Sequence, residues 1–331
     1  MTGRRLGTTD LTISPLGFGS WSVGGADWAY SGSPERDVES IATMLHALDR
    51  GVTWVDTSPN YGQGHSEQLV GEVLRRSGSR PPLVFTKCGR IWDSPDSKPW
   101  SDLRPETIRA HCDASLRRLG VDVIDVLQIH WPDPQNLVPV EESWGAMLRL
   151  VEEGKIRVPA LCNFDVALLE RCERVGHVAC LQTPMSPIAR DSAGEILEWC
   201  RRHDVAVVVY SPMQVGLLTD TFHPGKVDEY GPQDWRRTHP EFNSPKLERN
   251  IALRDSLVPV ARRHGVTVGA IAVAWTLSWP GVTGAIVGAS TRAQVDGWAD
   301  ASSVVLTRDD LAEIASAIET TGAGHGPAAP S

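Results

Sequence analysis

No run of about 18 apolar residues, the length a membrane-spanning helix needs, occurs in this chain of 331 residues. No charged start followed by an apolar stretch opens it, so no secretory signal is expected and a cytoplasmic location is. Positive charge is scarce. Lys and Arg number 32 against 41 Asp and Glu, a formal net charge of -9. That balance argues against a broad grip on a phosphate backbone, so nucleic acid is not an expected partner, while a local basic pocket for one phosphorylated ligand stays compatible. The six cysteines are scattered without a C-x-x-C pair and read as reduced thiols. There is no H-E-x-x-H, and Cys88, His111, Cys112 and His130 lack ligand spacing, so no metal site is expected. No internal repeat or linker divides the chain.

What is present is a regular alternation. A polar hairpin opens it, Arg5-Leu6 and Thr12-Ile13 flanking Gly7-Thr8-Thr9-Asp10. Strand-like runs follow near 16–19, 52–56, 83–87, 123–130, 156–162, 179–182, 205–210 and 284–287. Helical spacing marks 38–50, 66–76, 105–118, 140–153, 166–174, 192–203, 252–264, 267–278 and 291–299. The strands are continuously apolar, as expected when a parallel sheet is covered on both faces. Eight strands each followed by helix predict an α/β fold of the (β/α)8 TIM-barrel type: one domain over 1–320, with an N-terminal hairpin and a long loop after strand seven. The competing open, doubly wound sheet would carry G-x-G-x-x-G after its first strand. Gly17-Phe18-Gly19-Ser20-Trp21-Ser22 lacks the third Gly. Residues 211–250 form the long loop, expected to act as a lid or binding loop. Residues 321–331, small and Gly/Pro-rich, are expected to be a flexible tail.

Three apolar runs end in proton-handling residues. The first runs into Asp56, with Tyr61 five residues on. The second runs into Lys87 and the third into His130. In a parallel barrel the functional face lies at the C-terminal ends of the strands, and adjacent strands are about 4.8 Å apart. A lysine ammonium beside Tyr61 would stabilise the phenolate and bring its proton into use near neutrality. Asp56 would hold that lysine charged, and His130 could bind a substrate oxygen. Such a set suits protonation of a carbonyl oxygen while hydride from a cofactor reaches its carbon. Each residue has a plainer reading: Asp56 as a helix cap, Tyr61-Gly62 as a turn, Lys87 as a surface charge, His130 as a core histidine. The joint occurrence on three consecutive strands outweighs these.

The chain resembles the aldo-keto reductase family over roughly residues 4–315. The resemblance is carried by Gly51-Val-Thr-Trp-Val-Asp-Thr-Ser-Pro-Asn-Tyr-Gly, His65-Ser-Glu-Gln-Leu-Val-Gly and Phe85-Thr-Lys. It continues through Ser115-Leu-Arg-Arg-Leu-Gly-Val-Asp-Val-Ile-Asp, Gln128-Ile-His, Glu153-Gly-Lys-Ile-Arg, Cys162-Asn-Phe and Tyr210-Ser-Pro-Met. It implies a (β/α)8 barrel that uses NADP(H) without a Rossmann domain. It also implies a catalytic set of Tyr61, Asp56, Lys87 and His130, with Tyr61 the general acid in reduction and the base in oxidation. Further cofactor positions follow from it: Asn163 and Gln182 at the nicotinamide carboxamide, Tyr210 stacked on the ring with Ser211 beside it, and the backbone of Gly216 and Leu218 at the pyrophosphate. Gly288, Ser290, Arg292 and Gln294 would hold the adenosine 2′-phosphate. Cys162 departs from the family's usual Ser, and Met185 from a common Tyr. Ser290 occupies the commonest basic position, with Arg292 two residues later. NADP(H) is thus favoured over NAD(H).

Candidate pocket aromatics are Trp21, Trp28, Tyr30, Trp92 and Trp131, with Trp21 and Trp131 foremost because they directly follow strand ends; Asn60 and His65 flank Tyr61. Packing within the barrel is the alternative for each. The leading expectation is an NADP-dependent alcohol/carbonyl oxidoreductase acting on a small-molecule carbonyl or alcohol. Two others stand beside it: an aldolase-like barrel with Lys87 as Schiff-base lysine, and a non-catalytic NADP(H)-binding regulatory subunit.

Overall fold

The computed structural model describes residues 1–23, 34–94, 97–135, 137–232 and 234–330. Trp28 and Tyr30 lie outside the described residues. Eight parallel strands close into a barrel: β1 (Leu16–Gly19), β2 (Trp54–Asp56), β3 (Leu83–Cys88), β4 (Ile124–Ile129), β5 (Ile156–Cys162), β6 (Cys180–Pro184), β7 (Ala206–Tyr210) and β8 (Val282–Gly288). The strands pair in chain order and β8 returns to β1, with Gly288 opposite Gly19. The expected architecture is therefore the observed one. Its edgeless sheet satisfies every strand on both sides.

The barrel floor is plugged from below. Trp54 lies wholly buried against Phe85, their ring centroids 4.6 Å apart, and its indole N–H donates to the Ser14 carbonyl at 2.9 Å. Gly17 makes room for that ring, because a Cβ there would fall 2.3 Å from the indole. The opening hairpin, Arg4–Arg5 paired with Thr12–Ile13, brings Leu6, Leu11 and Ile13 under the floor. A dry, filled lower barrel leaves the C-terminal rim as the place for chemistry.

The helices follow local rules. Pro105 starts Pro105–Leu119 and Gly120 ends it in the left-handed conformation at φ 70°. Val268–Leu277 is apolar all round and buried at every position, capped by the Thr267 side chain. The helix expected over 252–264 is two, Lys246–Ser256 and Val258–His264. Pro259 lacks the N–H that would continue the first through Leu257. Among the described residues, no helix is long and apolar enough to cross a membrane.

Two segments differ from expectation. A further helix, Arg308–Thr321, carries a capping box made by Thr307 and Asp310. The tail after it, expected to be flexible, is tied down on the loop after β6. Arg190 N–H donates to His325 O at 3.2 Å, His325 N–H to Ile188 O at 3.3 Å, and the Arg190 guanidinium to Ala323 O at 3.2 Å and Gly326 O at 3.3 Å. The glycines that suggested looseness serve close approach: a Cβ on Gly324, at φ +62°, would sit 1.8 Å from Ile188 O.

Candidate active site

The three strand-end residues and Tyr61 meet at the C-terminal rim. Registry puts Asp56 opposite Phe85 on β3 and Lys87 opposite Gln128 on β4. Lys87 Nζ donates to Asp56 Oδ1 at 2.6 Å, to Thr57 O at 3.0 Å and to the Tyr61 hydroxyl at 3.4 Å. His130 stands edge-on to Tyr61, ring centroids 6.2 Å apart, and its Nδ1 lies 3.3 Å from the Ser58 hydroxyl. Tyr61 reaches this position from a tight turn, Tyr61–Gly64, in which Gly62 and Gln63 have positive φ.

Sequence reasoning did not assign the residue that completes the floor of this group. Gln128, fully buried, donates to Asp56 Oδ2 at 3.1 Å, and Gln182 donates to the same oxygen at 2.8 Å and to Gln128 Oε1 at 3.1 Å. Asp56 thus has one oxygen on the ammonium and the other on two amides. The signal was available: Val126, Gln128 and His130 fall on one face of β4 by the period of two, and a Gln in an otherwise apolar inward row needs partners.

The electrostatics sort the four by role. Burial would push the Lys87 ammonium down, but Asp56 and the other negative-going groups around it hold it above its ordinary value. Burial, then Lys87 and Arg90, hold His130 well below the usual imidazole range, so it is neutral. Tyr61 departs from expectation. Burial raises it more than the Lys87 charge lowers it, and it is pushed up to about 12. In this state the phenol keeps its proton firmly at neutral pH.

The other expected positions divide. Tyr210, half-buried at the end of β7, donates to Asn163 Oδ1 at 2.8 Å. The Asn163 amide in turn donates to His130 O at 3.0 Å and faces Cys162 Sγ at 3.1 Å, and Cys162 Sγ lies 3.6 Å from Gln182 Oε1. Asn163, Gln182 and Tyr210 therefore form one layer against the group of Tyr61, Lys87, Asp56 and His130. Ser211, Gln214 and Val215 have positive φ, at 57°, 47° and 54°, so the chain leaving β7 is strained. Gly216 and Leu218 do not offer free donors: both N–H groups are spent on Met213 O, at 3.2 and 3.0 Å, because the turn winds back on itself. Gly288, Ser290, Arg292 and Gln294 are exposed at the end of β8 and the start of helix Arg292–Ala299. Gln294 Oε1 caps the Ser290 N–H at 2.6 Å, and Arg292 Nε stands 3.9 Å from Glu39.

Trp131, 44% exposed, directly follows His130 at the end of β4, and half-buried Trp92 directly follows the short strand Arg90–Ile91. Trp21, 37% exposed, meets Trp235 of the long loop edge-on at 6.4 Å. That loop has its own apolar cluster around Leu217, Phe222 and Phe242. His65 Nε2 lies 3.0 Å from Asp37 in the first turn of helix Pro34–Asp49, and its neighbours Ser66 and Glu67 are fully buried. Glu67 accepts from Thr86 at 2.6 Å and Arg118 at 2.5 Å, so the His65-Ser-Glu block braces the barrel wall. All six cysteines are free and buried. Among the described residues no group of three or more His, Cys, Asp or Glu could hold a metal ion.

Comparison with known proteins agrees with this architecture. The model of the Aldo/keto reductase family matches residues 15–319. An NADH-specific methylglyoxal reductase of Escherichia coli (strain K12) is 32% identical over 326 residues, covering 95% of this chain and 98% of that protein. The aldo-keto reductase YhdN of Bacillus subtilis (strain 168) is 31% identical, covering 95% of this chain and 92% of that one. The solved structure of the glycerol dehydrogenase AKR11B4 from Gluconobacter oxydans aligns with a TM-score of 0.88 at 32% identity, over 98% of this chain and 97% of that one. With a matched family model over nearly the whole barrel, this chain belongs to the aldo/keto reductase family.

Proposed function

We propose that the protein is a nicotinamide-dependent reductase that converts a small aldehyde or ketone to its alcohol, with Tyr61 as general acid. The observation that carries this reading is the convergence of Tyr61, Lys87, Asp56 and His130 at the rim, with Lys87 Nζ 2.6 Å from Asp56 and 3.4 Å from the Tyr61 hydroxyl. The donor set nearby fits a nicotinamide dinucleotide: a half-buried Tyr210 ring with the Asn163 and Gln182 amides behind it, and exposed Arg292 at a helix start following β8. The reduced nicotinamide, when bound, supplies the hydride.

The chain's own residues handle the oxygen. Neutral His130 has its Nδ1 3.3 Å from the Ser58 hydroxyl; with that hydroxyl donating, the ring would carry its proton on Nε2, the tautomer that can donate to a carbonyl oxygen. Tyr61, protonated at rest, gives its proton to the same oxygen. Lys87 then stabilises the phenolate through the contact it already makes, and Asp56 keeps Lys87 charged while it does so. The Schiff-base alternative is disfavoured, because Lys87 is held as an ammonium with its donors directed to Asp56, Thr57 and Tyr61, leaving no free amine lone pair. A complete set of proton-handling residues favours catalysis over a purely regulatory role.

NADPH remains the first reading of the cofactor, because Arg292 is exposed and, among the described residues, the carboxylate it meets, Glu39, lies at 3.9 Å, beyond hydrogen-bond range. NADH is the second, favoured by the specificity named for the Escherichia coli relative. Oxidation of NADPH and NADH, each followed by absorbance across a panel of aldehydes, ketosugars and quinones, tests both. Consumption of neither with any carbonyl would overturn the reductase assignment.

A further inference from the structure

The catalytic group leaves one nearby cation unused. β3 ends at Cys88, whose carbonyl accepts the His130 N–H at 3.0 Å. Gly89 turns the chain at φ +84°, and Arg90 then enters a two-residue ribbon, Arg90–Ile91 paired with Trp100–Ser101. The Arg90 guanidinium donates to Ser101 Oγ at 2.9 Å and to the Pro99 carbonyl. Ser101 Oγ donates onward to Pro132 O at 3.1 Å. Arg90 therefore sits between the ribbon and the loop that carries Trp131, directly after His130, and its charge is one of the influences that keep His130 neutral.

The partners of this half-buried arginine among the described residues, Ser101 Oγ and Pro99 O, are neutral. Among the described residues no carboxylate lies within 4.0 Å of it, and the acids of the neighbouring segments are committed elsewhere. Asp93 accepts the Trp100 indole N–H at 3.1 Å. Asp102 holds Arg104 at 2.6 Å and Thr107 at 2.8 Å. Asp133 accepts the backbone N–H groups of Gln135 and Leu137. Arg118, Arg236 and Arg254 are paired with Glu67, Asp234 and Asp255, whereas Arg4 and Arg190, like Arg90, donate to neutral oxygens; of these three, Arg90 is the one whose charge acts on His130. A partly desolvated guanidinium without a counterion is costly, and an oxyanion matches its fork. Trp131 and Trp100, 44% and 39% exposed, supply apolar surface beside it.

We propose that Arg90 is the anion-recognition residue of the substrate site, and that the preferred carbonyl compound bears a carboxylate or phosphate a few carbons from its carbonyl. The proposal rests on the reductase reading of the same site. The chain sets an upper bound on the separation: Arg90 lies three residues beyond Lys87 and across the Gly89 turn, so their Cα atoms are within about 10 Å of each other.

The test is the ratio of kcat/KM for charged and neutral aldehydes of matched length. Succinic semialdehyde against butanal forms the carboxylate arm, and glyceraldehyde 3-phosphate against glyceraldehyde the phosphate arm. In the wild type at least one ratio is expected to be about 10 or more, from the strength of a charge-assisted bond, and to fall as salt is added. Arg90→Met should bring that ratio close to one through KM, while Arg90→Lys, which keeps the charge without the fork, should retain an intermediate value. If both wild-type ratios are near one, or if Arg90→Met and Arg90→Lys leave the ratio unchanged because charged and neutral substrates suffer equally, Arg90 only braces the ribbon and the proposal is wrong. Reduction of neutral aldehydes in the same experiment reports on the reductase reading separately; its absence with both cofactors would remove that reading and this proposal with it.

Discussion

Replacing Asp56 by Asn keeps the shape of the side chain and removes its charge. Lys87 is 1% exposed and Asp56 3%, so the ammonium then lies in the barrel without a counterion. The second carboxylate oxygen matters as well. It accepts from the amides of Gln128 and Gln182, and an asparagine amide cannot accept on both sides at once. Removing one member of a buried pair costs about 3–5 kcal/mol, which for a chain of this size lowers the melting temperature by roughly 4–7 °C. Turnover should fall far more than fractional folding explains, because Lys87 would lose the group that keeps it charged beside Tyr61. The double variant Asp56→Asn, Lys87→Met removes the stranded charge and should recover most of the lost stability but none of the activity. Urea unfolding of the four proteins in this cycle is the assay. An Asp56→Asn variant within about 1 kcal/mol of wild type, or a double variant no more stable than the single, would refute the account of the barrel floor.

Two further outcomes follow. His130 has a folded-state affinity for protons well below the unfolded value. The unfolded chain therefore takes up a proton near pH 6.5 that the folded chain refuses, and stability falls as pH drops below about 6.5; His130→Gln should flatten that part of the acid slope in urea unfolding, and an unchanged slope would contradict it. Arg292→Ala should weaken NADPH about 10-fold or more by fluorescence titration and NADH much less, as expected for loss of a charge-assisted bond; equal losses would show that Arg292 does not read the 2′-phosphate.

The barrel was legible because its strands are unbroken apolar runs such as Ala206–Tyr210, and because Asp56, Lys87 and His130 each close such a run. What escaped was mostly set by partners distant in sequence. Tyr61 was expected to be lowered by Lys87, but burial by the assembled rim outweighs one ammonium at 3.4 Å. The Gly216 and Leu218 backbone was expected to face a ligand, but a turn closing on Met213 uses those N–H groups. The tail looked loose because Gly324 and Gly326 signal freedom locally, whereas here they permit contact with Ile188 and Arg190. Helix Arg308–Thr321 carried a readable signal, Thr307 followed three residues later by Asp310. Gln128 was visible only as part of a motif until its bond to Asp56 gave it a role.

The central claim is that Tyr61 delivers the proton. Tyr61→Phe removes one hydroxyl and leaves the ring, Lys87, Asp56 and His130 in place. Nicotinamide cofactor binding by fluorescence and aldehyde reduction by absorbance, measured on the same preparation, test it directly. Binding within about twofold of wild type with turnover reduced by roughly 10²–10⁴, the span of a general-acid contribution, is the predicted result. Turnover within a few-fold of wild type would contradict it.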